Sequence, residues 1–510
     1  MKNKIFKTAT LVTALSVAER SLGFLYRIVL ARMIGAEALG SYQVALSVFA
    51  VFLTIGTGGI PVTVSRLISK SKAEGKKNGE TAAVLAGVAL SLLLTLPVVL
   101  VFPLSGNAFS FLFTDENGLA VFKTLLWGLI FSCLYAVFRG WLWGKKKFLT
   151  AAVFEILEES VMVVAGILLL RRVHGSLEGA KTAALAAVIS YLFSFTCSAL
   201  CFFFGREKSP PDKGYIKPLA KSALPITAVR AGTTLVNSAV AVLLPAMLIR
   251  AGMQESEALK LFGVLSGMVI PILFVPSTVI GSISLVLVPE LSEDFYAHRT
   301  ERLQRNIERG LNAAVLVACA LIPFFSVLGE ELGLLAFSSL ESGKMIEKSC
   351  PILLPMSLTM ISTSALNSMG FEKQTFRIYF VGAAAMLLSV CLLPKFLGGY
   401  AYIVGMALNF TLCAILNLRF LFKKALRGCK TDFFKRTLFT VALVLPLALV
   451  GELYSLFFHR VFGELLSDIS VTLSMAGTVA VALLVFYFLF LKKQQPKKIR
   501  PYAKPQRAKG

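Results

Sequence analysis

The stretch SVAERSLGFLYRIVLARMIG, residues 16–35, is long and apolar enough to cross a bilayer, yet it carries Glu19, Arg20, Arg27 and Arg32. A bilayer core of about 30 Å takes about 20 helical residues at ~1.5 Å each. An arginine facing lipid at the middle of such a helix costs at least ~2.5–3.5 kcal/mol. The stretch therefore reads as a membrane helix with one face turned to protein or to a wet cavity. Arg20 and Arg27 are one heptad apart, so they share a stripe, with Gly23 between them. Glu19 sits about 100° around the helix from Arg20 and is free to partner another residue.

Working outward, the whole chain repeats this theme. Its 510 residues are 56% hydrophobic and 16% charged, with a mean hydropathy of +0.76, the composition of a polytopic membrane protein. Apolar runs recur at 9–32, 42–65, 82–104, 119–142, 149–170, 182–204 and 222–249, then at 262–288, 311–338, 350–370, 376–394, 400–421, 437–457 and 470–491. The sequence thus predicts an all-α fold of fourteen transmembrane helices. Charge gives an independent check. Lysine and arginine concentrate on alternate connectors and on both tails, and Arg20, Arg27 and Arg230 alone lie well inside spans. That alternation predicts a multi-pass protein of the cytoplasmic membrane with both termini cytoplasmic. The basic start MKNKIFK is followed by no small-residue cleavage site, so the first helix is expected to remain uncleaved.

The net charge of +24 would suggest nucleic acid in a soluble protein. Here it lies in short patches between apolar runs, which points to anionic membrane lipids instead and to no nucleic acid. The eight cysteines are scattered with no CxxC and no Cys/His cluster, so no metal site is expected. GAEALGS at Gly35 has the glycine spacing of a nucleotide loop without its lysine. With no large extramembrane segment, the reading is a secondary transporter rather than an enzyme, without a cofactor. Its driving force would be Na+, H+ or the membrane potential.

An internal repeat supports this. The second span ends GGIPVTVSRLISK and the eighth ends VLVPELSEDF, each with a proline before a basic connector. LARMIGAEALGSY after the first span faces LIRAGMQESEALKLFG after the seventh. The expected domains are an N-lobe over 1–205, a cytoplasmic linker over 206–221, a C-lobe over 222–425, two further helices over 426–491 and a basic tail over 492–510. Two parallel six-helix lobes would then surround a central cavity. Span seven repeats the opening device, with Arg230 at a depth comparable to Arg20 and Asn237 further along the same stripe.

Arg20, Arg27, Arg230 and Asn237 are therefore the candidate binding residues, in a cationic cavity suited to phosphate, because a guanidinium fork holds two oxygens. Glu19 and Glu158 are candidates for coupling or for counter-charge. Glu155 and Glu159 share a helix face and are expected near the cytoplasmic interface with GKKKF. Arg32 is expected to be interfacial. FRGWLWGKKKF, residues 138–148, reads as an interfacial anchor, and Gly140, Gly144, Gly263 and Gly267 as close-packing positions.

The segment LGFLYRIVLARMIGAEALGSYQVALSVFAVFLTIGTGGIPVTVSRLISK, together with FRGWLWG, ILEE and STSALNSMGFEKQTFRIYFVG, resembles the stage V sporulation protein B branch of polysaccharide flippases. These belong to the multidrug/oligosaccharidyl-lipid/polysaccharide exporter (MATE-like) superfamily. The resemblance implies two six-helix lobes working by alternating access. Its cargo would be an undecaprenyl-pyrophosphate-linked saccharide, such as a peptidoglycan or other envelope precursor, with envelope synthesis enzymes as possible partners and a role in sporulation. Murein-precursor flippases of the superfamily carry an arginine aligned with Arg20 and a second at Tyr26, where Arg27 comes one place late. They also have an acid where this chain has GSYQV and an arginine where it has VIPIL. The rival readings are a drug/cation antiporter of the same superfamily, a membrane glycosyltransferase, and a non-transporting scaffold of envelope or spore cortex synthesis.

Overall fold

Gly35 decides how the chain enters the fold. In the computed structural model, helix α1 (Lys2–Thr57) is two helices meeting at this residue, whose φ of 79° and ψ of 169° lie outside the helical region. A side chain would be strained there and glycine is not. The connector expected over 33–41 is thus reduced to a kink. The structure describes residues 2–74, 78–104, 109–173, 176–206, 213–424 and 433–442, with Leu449, Leu453 and Arg460.

After α1 come α2 (Ile60–Ala73), α3 (Gly79–Leu104), α4 (Glu116–Gly144), α5 (Phe148–Leu170), α6 (Ser176–Gly205) and α7 (Ile216–Arg250). Then follow α8 (Glu255–Gly263), a π-helical turn (Val264–Val269), α9 (Ile270–Leu273), α10 (Val275–Tyr296), α11 (Thr300–Val327), α12 (Gly329–Phe337) and α13 (Leu340–Ser349). The described helices end with α14 (Leu353–Ser368), α15 (Glu372–Leu392), α16 (Pro394–Leu397), α17 (Tyr400–Lys424) and α18 (Phe433–Ala442). No strand occurs among the described residues.

Eleven of the described helical segments are long and apolar enough to cross a membrane. The first, Ala14–Ala73, holds two of the expected spans, and α5 falls outside the eleven because it bears Glu155, Glu158 and Glu159. Each of the first twelve expected spans has a helical counterpart. The fourteenth span, the basic tail and most of the thirteenth span lie outside the described residues.

The eighth span departs from expectation by being broken into α8, the π turn, α9 and α10. Pro271 and Pro276 lack the amide hydrogens that a continuous helix would use, and the π turn absorbs the resulting mismatch.

Packing divides the helices into two bundles. Helices α3 to α6 pack on one another and on α1 and α2, while α10, α11, α14, α15 and α17 pack together. α1 and α2 touch α7, and α1 also touches α8 and the π turn, which joins the two sets. Three basic connectors lie on one face: Lys145 Nζ donates to Glu80 Oε1 at 2.9 Å and to the Gly205 carbonyl at 3.0 Å. Trp141 Nε1 donates to the same carboxylate at 2.6 Å, and Ser71 bonds the Tyr215 hydroxyl at 2.6 Å. In the second bundle Asp294, 1% exposed, accepts from Asn306 Nδ2 at 2.8 Å and pairs with Arg302 at 3.3 Å.

The hydrophobic core shows where the bundles part. Away from the basic face, a single buried cluster runs from Leu30, Leu39 and Phe122 through Leu244 and Phe262 to Met356 and Val390, spanning both bundles. Toward the basic face it splits: one cluster holds Ile60, Trp141 and Leu219, and another holds Leu291, Leu311 and Leu421. The bundles therefore form a V whose apex is shared core and whose mouth opens on the basic face.

Candidate functional site

A cavity of about 760 Å³ occupies the space between the arms of this V. The first half of α1 supplies one wall, including Glu19, Arg20 and Arg27; its second half adds Tyr42 and Gln43. α5 contributes Glu159 and Met162, and α6 contributes Tyr191. The opposite wall is Pro271, Phe274 and Thr278, from the stretch where the eighth span breaks. The rest of the lining is largely apolar and aromatic.

Arg20 and Arg27 are both exposed to this space, as their shared stripe requires. Among the described residues no carboxylate lies within 4 Å of either guanidinium, so the pairing of Arg20 with Glu19 or Glu158 that would make it a purely structural lock is not formed. Gly23 explains how the stripe is built. A Cβ at this position would lie 2.7 Å from Glu159 Oε1, so the absent side chain seats that carboxylate against α1 between the two arginines. Glu19 and Glu159 thus share the cavity with Arg20 and Arg27, and its charge is mixed rather than simply cationic.

Behind the cavity wall, Arg139 pairs with Glu155 at 2.9 Å and lies over the rings of Trp143 and Tyr135, 5.2 and 5.9 Å from their centroids. Glu158 faces Ser194, and its Oε2 is buried without a partner, as is the Tyr135 hydroxyl. Glu155 and Glu159, placed together by the sequence reading, divide: one pairs inside the bundle and the other reaches the cavity.

The structure does not bring Arg230 and Asn237 to this cavity. Both are exposed on α7, and neither lines it. The Arg230 carbonyl accepts bonds from the hydroxyls of Thr233 and Thr234, at 2.8 and 3.1 Å. Comparable depth along a span is set by sequence position, whereas azimuth depends on how α7 packs on α1 and α2. There the contact is fixed by Gly59, whose Cβ would lie 2.2 Å from the Ala223 carbonyl, and by the Gly59 amide donating to Thr227 Oγ1 at 2.9 Å.

The apex of the V is closed by backbone contact. A Cβ on Gly40 would lie 2.0 Å from the Leu259 carbonyl oxygen, and one on Gly263 would lie 1.9 Å from that of Ala36. Arg32 reinforces the closure from α1: its Nε donates to the Ala336 carbonyl at 2.7 Å and its Nη2 to that of Leu335, at the end of α12. This contact between bundles was not legible in an arginine expected only to sit at the interface.

With this geometry described, comparison with known proteins is informative. Residues 5–295 match the family described as polysaccharide biosynthesis protein. The chain belongs to this family. Among curated relatives, stage V sporulation protein B of Bacillus subtilis (strain 168) is 25% identical over 69% of this chain and 70% of its own. The same organism's lipid II flippase MurJ is 22% identical over 64% of this chain and 65% of its own. Solved structures extend the likeness to the fold. An inward-facing multidrug resistance MATE transporter of the MOP superfamily superposes with a TM-score of 0.61 at 15% identity, over 81% of this chain and 96% of that one. A MOP transporter from Pyrococcus furiosus superposes at 0.56 and 15% identity, over 82% of this chain and 95% of that one. This polysaccharide biosynthesis family member is thus a multi-pass membrane protein of the transporter and flippase lineage, with a MATE-like fold.

Proposed function

We propose that the protein flips a polyprenyl-pyrophosphate-linked saccharide, an envelope or peptidoglycan precursor, across the cytoplasmic membrane by alternating access. The observation that carries this reading is the pair Arg20 and Arg27, held on one stripe of a cavity and bound to no carboxylate within 4 Å among the described residues. Two arginines whose backbone positions lie about 10 Å apart along a helix have side chains long enough to converge on the two phosphates of a pyrophosphate, each offering a fork of donors. The apolar lining suits the first isoprene units, while the rest of the tail would stay in lipid. By the distribution of lysine and arginine the mouth faces the cytoplasm, where such precursors are assembled. The name of one relative, a lipid II flippase, supports the same cargo.

Glu19 and Glu158 keep the two roles given by the sequence, counter-charge and coupling by H+ or Na+; the membrane potential is the remaining driving force. The carboxylates of Glu19 and Glu159 also give the rival reading, a drug/cation antiporter, its best support, since cations would seek them. Flipping of a fluorescent undecaprenyl-pyrophosphate saccharide by purified protein in liposomes separates the two. We expect flipping that is lost in Arg20→Ala and Arg27→Ala. Transport of a lipophilic cation with no flipping would establish the antiporter instead.

A further inference from the structure

A second cavity, of about 460 Å³, lies within the second bundle and is built differently from the first. α14 contributes Thr359, Thr363 and Asn367, spaced every fourth residue and hence on one face. α17 adds Asn417 at the same level, and α15 adds Thr375, Phe376 and Tyr379. Among the described residues its only charged lining residues are Glu372 and Lys373, both exposed at the start of α15. Inside, the polar groups are neutral hydroxyls and carboxamides set against aromatic rings.

Two of these groups are positioned by each other and left with capacity to spare. Asn417 Nδ2 donates to Thr363 Oγ1 at 2.9 Å, which fixes the carboxamide. Its Oδ1 then has no partner although Asn417 is only 1% exposed. Leaving a buried acceptor unpaired costs about 1–3 kcal/mol, so the position is one that a ligand hydroxyl would relieve. Thr375 Oγ1 donates to Asn367 Oδ1 at 2.7 Å, which leaves the Asn367 amide hydrogens directed elsewhere. The Tyr379 hydroxyl reaches the Thr233 carbonyl only at 3.5 Å, the limit of a hydrogen bond. Phe376 is held edge-on against Phe380, with centroids 4.7 Å apart.

We propose that this cavity is a subsite for a neutral, hydroxyl-rich ligand, the saccharide portion of the flipped lipid. A sugar offers both donors and acceptors, which match Asn417, Asn367 and Thr363. It also has apolar C–H faces that pack on rings such as Phe376 and Tyr379. An ion would leave water for a chamber with no full charge inside its walls, and that transfer is costly. The first cavity would thus grip the pyrophosphate, and this one would recognise the sugar. The assignment rests on the flippase reading.

The test measures binding of two lipids to full-length protein in nanodiscs: undecaprenyl pyrophosphate, and the same lipid bearing a neutral N-acetylhexosamine disaccharide. Wild type should prefer the glycosylated lipid. Thr363→Val, which keeps the side-chain shape, and Asn417→Leu should each reduce that preference by about tenfold, the worth of one or two neutral hydrogen bonds, with binding of the bare lipid unchanged. Because Asn417→Leu removes a buried amide, the Thr363→Val result decides if the former fails to fold. Equal binding of both lipids by wild type, or a preference that survives in Thr363→Val, overturns the subsite while leaving the flippase reading intact. A preference that vanishes when Na+ is replaced by K+ identifies a cation site and also overturns it. Binding of neither lipid removes the flippase reading, and the subsite with it.

Discussion

Gly263→Ala should tip the protein toward the state that is open on the face opposite the basic connectors. In the structure a Cβ at Gly263 would stand 1.9 Å from the Ala36 carbonyl oxygen and 2.8 Å from the Gly40 amide nitrogen. Both are backbone atoms within helices, so relief requires α8 to move away from α1. Overpacking of this kind costs typically ~1–3 kcal/mol. Only the state in which the apex is closed bears that cost, because separating the bundles there removes the clash. A differential of ~1–3 kcal/mol shifts a two-state equilibrium by about 5–150-fold. Gly267→Ala is the matched control. Its Cβ would meet the Leu39 side chain at 2.4 Å rather than backbone, and a side chain can rotate. The assay is labelling of a cysteine placed at Thr278, in the cavity wall, in a background free of other cysteines. A membrane-impermeant maleimide is applied to either side of oriented liposomes. Gly263→Ala should slow labelling from the basic side and raise it from the other, with Gly267→Ala changing both less. Unchanged sidedness in a folded Gly263→Ala protein would refute the idea that this crossing is the closed gate.

Arg32→Ala should move labelling in the same direction by a smaller factor, since it removes two hydrogen bonds at an exposed site rather than adding a clash. Arg230→Ala should leave flipping of lipid-linked saccharide near wild type, whereas Arg20→Ala should abolish it; equal loss in both would return Arg230 to the site. Glu159→Gln should tighten binding of the pyrophosphate lipid and slow its turnover, read as a lower Kd with a lower flipping rate in one preparation. Glu80→Ala should lower thermal stability in detergent by several degrees at least. It strips the buried partner from Trp141 and Lys145, and breaking a buried pair typically costs ~3–5 kcal/mol.

The all-α class and the order of the first twelve spans were legible because apolar run length is a one-dimensional signal. The arginine stripe was legible for a similar reason, since residues one heptad apart share a face on any helix. What escaped was azimuth. Arg230 was placed by its position along the span, but Gly59 and Thr227 fix the rotation of α7 against α2, and no local pattern encodes that. Glu159 was missed for a related reason: its route into the cavity is opened by Gly23, a glycine on a different helix. A clue was available, because a glycine between two intramembrane arginines leaves space that some side chain can fill. The break in the eighth span was also within reach, as Pro271 and Pro276 cannot continue a helix without loss of hydrogen bonds.

The mixed charge of the cavity bears directly on how a flippase would have to work. Two guanidiniums in a low-dielectric chamber with no acid nearby would hold a pyrophosphate tightly in both conformations. Tight binding alone does not move a load; a transporter needs a site favourable enough to fill and weak enough to empty, the same condition that governs conduction in channels. Glu159, seated against Gly23 between Arg20 and Arg27, is placed to supply that weakness. In a flippase it would compete with the phosphates for the guanidiniums, and it closes no ion pair with either of them here. Pro271 and Phe274 line the opposite wall, whereas Arg20, Arg27, Gly23 and Glu159 lie within one bundle, so in the proposed rocking cycle the two walls would separate without parting the arginines from Glu159. The anion site would then travel as a unit with its own competitor, and release would depend on the far wall withdrawing rather than on the arginines parting. On this argument a flippase would use the acids in its transport cycle, so their presence is compatible with an anionic cargo as well as with the cationic one they would attract.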